Sequence, residues 1–191
     1  MLDEKFGHAF DKPLENIARK IPLTPNTITV AGFFVTLIAA VILARDLFLG
    51  GITVLIGGAF DVLDGVVARV NGKSSRFGAF LDSVLDRYSD AFILLGVGWN
   101  LFNGRNYTGV VLCLGTLVGS FLISYSRARA EGLGEDCRNG LLERPERVIL
   151  VSFGAITGFI IPVLWILVIL THFTVFQRVY RVWQITCEKN N

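Results

Sequence analysis

The stretch DVLDGVVARVNGKSSRFGAFLDSVLD, residues 61–86, sets four aspartates and two arginines inside a chain that is otherwise largely apolar. Mean hydropathy is +0.57. Apolar residues make up 52% of the chain and charged residues only 18%, a composition outside the usual soluble range. Apolar segments flank the stretch, each close to the ~20 residues that a helix needs to cross a bilayer core of ~30 Å. Charge in such a place is costly unless it faces a protein interior or a wet cavity and meets opposite charge. These acids therefore need a partner.

Working outward, six apolar segments follow one another, at about 26–44, 47–67, 77–101 and 107–126, then from about 148 to Pro162, and on to about Phe176. They predict an all-α integral membrane protein with six transmembrane helices. Of the 18 Lys and Arg, all but Arg45 and Arg105 fall on the side shared by the termini. Because cytoplasmic connections retain Lys and Arg, both termini and the aspartate stretch are expected at the cytoplasmic face of the cell membrane. A single domain, 1–191, is expected, divided into an interfacial region (1–22), a bundle (23–181) and a cytoplasmic tail (182–191).

In the first region Phe6, Phe10, Leu14, Ile17 and Ile21 recur every three or four residues, with Lys12, Glu15, Arg19 and Lys20 between them. That pattern predicts an amphipathic helix lying in the interface. It lacks the basic leader and apolar core of a cleavable signal. Thr24 is a natural N-cap, with Pro25 just inside the first span. Gly115 and Gly119, and Gly154 and Gly158, are spaced for close helix approach, either inside one bundle or between two copies; a homodimer is expected. Cys113, Cys137 and Cys187 are dispersed and odd in number, which suggests ordinary thiols rather than a disulfide framework or a zinc site. A net charge of +2 gives no argument for nucleic acid, and membrane lipid is the natural surface for the basic residues.

Asp61 and Asp64 are three apart at the end of the second span, and Asp82 and Asp86 four apart at the start of the third. Residues so spaced share a helix face, so each span can aim two carboxylates at a common point. Four such charges near a low-dielectric region need cations beside them. Carboxylate oxygen selects hard divalent ions such as magnesium, manganese or calcium, and two metals bridged by carboxylates are suited to displacement at phosphorus. Gly65 and Gly78 offer bare backbone, while Arg69, Lys73, Ser74 and Arg76 supply donors for a diphosphate. The alternative, that an aspartate merely pairs with Arg69, accounts for one acid more readily than for four in register.

Asp61, Asp64, Gly65, Ala68 and Arg69, then eight residues, then Gly78, Asp82 and Asp86 resemble the signature of the CDP-alcohol phosphotransferases, with every fixed position filled. The resemblance implies six transmembrane helices and two divalent metal ions, magnesium or manganese, held by Asp61, Asp64, Asp82 and Asp86. It implies that Asp86 is also the general base, and that Gly65, Arg69 and Gly78 contact the CDP moiety. The implied reaction moves a phosphatidyl-type group from a CDP-linked lipid to an alcohol and releases CMP. Asp90 lies outside the signature and reads as structural.

The alcohol must be read elsewhere. Arg127, Arg129, Arg144, Arg147, Arg178 and Arg181 gather at the same face and suit an anionic acceptor, since guanidinium clamps phosphate oxygens. The alternatives for them are positive-inside topology and pairing with Glu131, Glu143 and Glu146. The combination resembles the branch of the family that uses inositol 1-phosphate, in bacteria and archaea, which implies Arg127, Arg144, Arg147 and Arg178 at the acceptor phosphate. Glycerol 3-phosphate, the acceptor of phosphatidylglycerophosphate synthases, is the second expectation. A cation transporter or channel is the competing class, although it would place its carboxylates nearer the midplane and often in repeated halves.

Overall fold

The computed structural model describes residues 24–70, 75–135, 137 and 140–189, and all regular structure among them is helical. The interfacial helix expected over 1–22, together with Lys73 and Ser74, lies outside the described residues. Six helices follow in order: α1 (Pro25–Leu43), α2 (Leu47–Val70), α3 (Arg76–Asn103), α4 (Tyr107–Glu131), α5 (Arg144–Thr157) and α6 (Ile160–Lys189). Four of them, α1, α2, α4 and α6, are long and apolar enough to cross a membrane.

Local chemistry sets the boundaries. Thr24 caps α1 by accepting the Thr27 N–H at 3.3 Å, with Pro25 next, where a missing N–H costs nothing. Ser75 caps α3 by accepting the Gly78 N–H at 2.9 Å, and Asn106 caps α4 through Gly109 at 2.9 Å. The α5–α6 break falls at Gly158, not at Pro162. Gly158 has φ of 78°, a left-handed value that glycine adopts without the Cβ penalty, whereas Pro162 fits in the first turn of α6. Nor does the last helix stop near Phe176. It runs to Lys189, with Phe176, Tyr180 and Trp183 stacked along one exposed face.

α1 is packed against both α2 and α3, which scarcely touch each other; α2 leans on α5, and α4 on α3 and α6. The interior seam runs through Leu43, Val54, Val97, Leu164 and Leu167, all nearly inaccessible. Large apolar side chains such as Phe34, Leu95, Val111, Phe153 and Ile169 point outward, an inverted surface that suits lipid rather than water. In lipid, helices associate by close packing rather than by the hydrophobic effect, and small residues mark the contacts. Gly115 faces Val168, Gly119 faces Thr171, and Gly154 faces Val163, so three of the four glycines meet a neighbouring helix within one copy, while Gly158 has open space and ends α5. Cys113 and Cys137 are buried, Cys187 is exposed, and all three are free thiols.

Where α1 crosses α3, a Cβ on Gly96 would strike the Ala40 carbonyl oxygen. Backbone cannot move aside cheaply, so Gly96→Ala is expected to destabilise the fold by about 1–3 kcal/mol. Thermal unfolding in detergent measures it; an unchanged midpoint would refute this packing.

Candidate active site

Asp61 and Asp64 stand on α2 and Asp82 and Asp86 on α3. What joins the two helices is a side chain from a third. Arg144, in the first turn of α5, places Nη1 at 2.5 Å from Asp61 Oδ2 and 2.7 Å from Asp86 Oδ1. Its Nε lies 3.6 Å from Asp90 Oδ1. Asp82 stands within electrostatic reach of Asp61, Asp64 and Asp86 and feels the charges of Arg144 and Arg87. Asp61 and Asp86 thus meet at one guanidinium, with Asp64 and Asp82 in the surrounding field, and α2 and α3 reach one another through α1 and Arg144 rather than by direct packing.

Asp64 is the most enclosed of the four, 7% exposed. The Thr29 hydroxyl of α1 lies against its carboxylate, while its Oδ2 has no protein partner. A buried bare carboxylate oxygen is expensive unless a cation or donor reaches it. Among the described residues no three acidic, His or Cys side chains form a group tight enough to hold an ion as they stand; the Arg144 guanidinium occupies the place between Asp61 and Asp86. An all-oxygen donor set, an orphaned Asp64 oxygen and a cationic group already bridging the two helices fit hard divalent ions.

Around this centre, Gly65 has open space at its Cα except for the Arg69 guanidinium, and Gly78 lies against Asn26 and Ser75. Arg69 and Arg76 are exposed at the same end.

The arginines divide. Arg144 belongs to the aspartates. Arg147, one turn on, is 6% exposed and donates from Nη2 to Asp90 Oδ2 at 2.6 Å. Arg178 of α6, also buried, donates to the Ile123 carbonyl of α4 at 2.5 Å and lies within the field of Arg127, Arg147 and Glu143. Arg127 pairs along α4 with Glu131 at 2.9 Å. Glu143 and Glu146 are taken up in capping α5, the Glu143 N–H donating to Glu146 Oε2 at 3.1 Å, and so leave Arg144 and Arg147 to the acids of α2 and α3. The result is a run of alternating charge, from Asp61 and Asp86 through Arg144 and Asp90 to Arg147, with Arg178 as a second cation within its field. Asp90, which the spacing marks as structural, is the link between the two groups. Its signal in the sequence is a position four residues beyond Asp86, one more turn on the same face.

The sequence profile of CDP-alcohol phosphatidyltransferases matches residues 22–180. The archaetidylinositol phosphate synthase of Methanothermobacter thermautotrophicus is 38% identical over 178 residues, covering 90% of this chain and 89% of that one. The crystal structure of Mycobacterium tuberculosis phosphatidylinositol phosphate synthase with CDP-DAG bound superposes with a TM-score of 0.82 at 34% identity, covering 92% of this chain and 94% of that one. The same enzyme in complex with manganese and citrate gives a TM-score of 0.81 at 34% identity, over 91% of this chain and 89% of that one. With the aspartate signature filled and both sequence and fold shared over nearly the whole length, the chain belongs to the CDP-alcohol phosphatidyltransferase family.

Proposed function

We propose that this protein transfers the phosphatidyl-type group of a CDP-linked lipid, CDP-diacylglycerol or CDP-archaeol, to a hydroxyl of inositol 1-phosphate and releases CMP. The observation that carries this reading is the run of charge from the α2 and α3 carboxylates to the buried Arg147 on α5, with Arg178 of α6 within its field. A diphosphate binds at one end and a phosphorylated alcohol at the other. The relatives that make inositol phosphate lipids, one of them seen with CDP-DAG, support the choice of both substrates.

Asp61, Asp64, Asp82 and Asp86 hold two divalent ions, magnesium or manganese, which neutralise the diphosphate and stabilise CMP as the leaving group; the manganese complex of the solved relative supports this. Gly65, Arg69, Lys73, Ser74 and Gly78 receive the CDP moiety. Asp86 takes the proton from the acceptor hydroxyl. The oxygen so freed attacks the phosphorus nearer the lipid, and the bond from that phosphorus to the CMP oxygen breaks. Arg127, Arg147 and Arg178 bind the acceptor phosphate, and Arg144 lies between that phosphate and the carboxylates.

The six helices all belong to one membrane domain, with α3 and α5 completing the set of spans. The charged end faces the cytoplasm, the side on which Lys and Arg are retained.

Purified protein in mixed micelles with CDP-lipid is expected to release CMP with inositol 1-phosphate and magnesium or manganese. Release should be abolished by EDTA and restored by added metal. Faster release with glycerol 3-phosphate would overturn the acceptor. No release with any alcohol, together with cation flux in vesicles, would overturn the class.

A further inference from the structure

Helical Ser and Thr side chains commonly return their hydroxyl to a carbonyl one turn back. In this chain Thr36, Thr53, Thr157 and Thr174 each donate to the carbonyl four residues earlier. Thr116 and Ser120 on α4 do not. Both are 1% exposed, and neither hydroxyl has a protein partner. Four residues apart, they share a face, and that face borders a cavity of about 20 Å³ between α3, α4 and α5. Arg147 and Asp90 form the polar remainder of its wall, with Ile93 and Val151 among its apolar neighbours. Arg147 Nε is likewise buried without a partner.

Three residues that line one small cavity thus carry buried polar atoms without a protein partner. A single water needs only about 10–15 Å³ and two to four polar partners. The positive charge of Arg147 disfavours a metal ion there, and a volume of about 20 Å³ suits a molecule the size of water.

We infer that Thr116, Ser120 and Arg147 enclose one ordered water, which fixes the Arg147 guanidinium at a second point and so orients it for the acceptor phosphate. Asp90 takes Nη2, the water takes Nε, and Nη1 is left for the substrate. Thr116 and Ser120 are then positioning residues, acting on substrate through Arg147. The inference rests on the reading of Arg147 as a ligand of the acceptor phosphate.

The test pairs a structure with kinetics. A map of the protein that resolves ordered waters should contain one in this cavity, and Thr116→Val with Ser120→Ala should remove it while the thermal midpoint is nearly kept. In that double variant KM for inositol 1-phosphate should rise about tenfold, as for other outer partners of a site residue, with KM for CDP-lipid unchanged. Should the double variant fold poorly, Thr116→Val alone serves, with a smaller rise expected. A wild-type map in which both hydroxyls bond α4 carbonyls and the cavity is dry would overturn the inference. So would loss of the water with KM for inositol 1-phosphate unchanged. If no acceptor supports CMP release, the proposed reaction fails, while the map still decides whether the water is there.

Discussion

In Asp86→Asn, CMP release is expected to fall by about two to four orders of magnitude, the usual contribution of a positioned general base. Asparagine keeps the size of the side chain and can still accept the Arg144 hydrogen bond through its carbonyl oxygen. Asp61, on the other side of that guanidinium, continues to hold α5 in place. The variant should therefore fold and bind CDP-lipid, and the loss should appear in kcat. It is measured as CMP release at saturating inositol 1-phosphate, with lipid binding determined separately. Activity within a few-fold of wild type would remove the base role and leave Asp86 only its part in holding cation.

The second large effect is on stability. Asp90 and Arg147 are both buried, their side chains 9% and 7% exposed. Removing one partner strands the other's charge in a low-dielectric interior. Asp90→Ala should cost about 3–5 kcal/mol, the range for breaking a buried pair. Replacing both, as Asp90→Leu with Arg147→Met, should recover most of the loss, because well-packed apolar side chains often do as well as a buried pair. The double variant should nevertheless bind inositol 1-phosphate poorly. Unfolding in detergent across the set separates the two contributions; an unchanged midpoint in Asp90→Ala would refute the buried pair as a source of stability.

Much of this was legible in the sequence because it depends on local spacing. The aspartates announce themselves by intervals of three and four residues, and Thr24 with Pro25 and the long apolar runs mark where the helices begin to within a turn or so. What could not be read were partners far apart along the chain. Arg144 meets Asp61 across 83 residues, and nothing in the immediate neighbourhood of either distinguishes that pairing from one with an adjacent glutamate. Glu143 and Glu146 looked like such partners, yet their interval of three is that of a helix cap, a local signal that could have released the arginines for other work. The break at Gly158 was hidden for a related reason. Proline is the louder helix breaker, but it is harmless in a first turn, whereas a glycine in the left-handed region actually ends the helix. Likewise, apolarity fades after Phe176 and places the end of α6 too early, while helical periodicity, in Phe176, Tyr180 and Trp183, continues.

α5 has only 14 residues, about 21 Å of helix, and begins at Arg144, level with Asp61. From Asp61 α2 has nine residues still to run, about 13 Å, so α2 extends well beyond the charged centre. In the proposed reaction a water-soluble inositol phosphate and a membrane lipid must both reach this centre. The two reactants thus arrive from different phases, one counted per volume of solution and the other per area of bilayer.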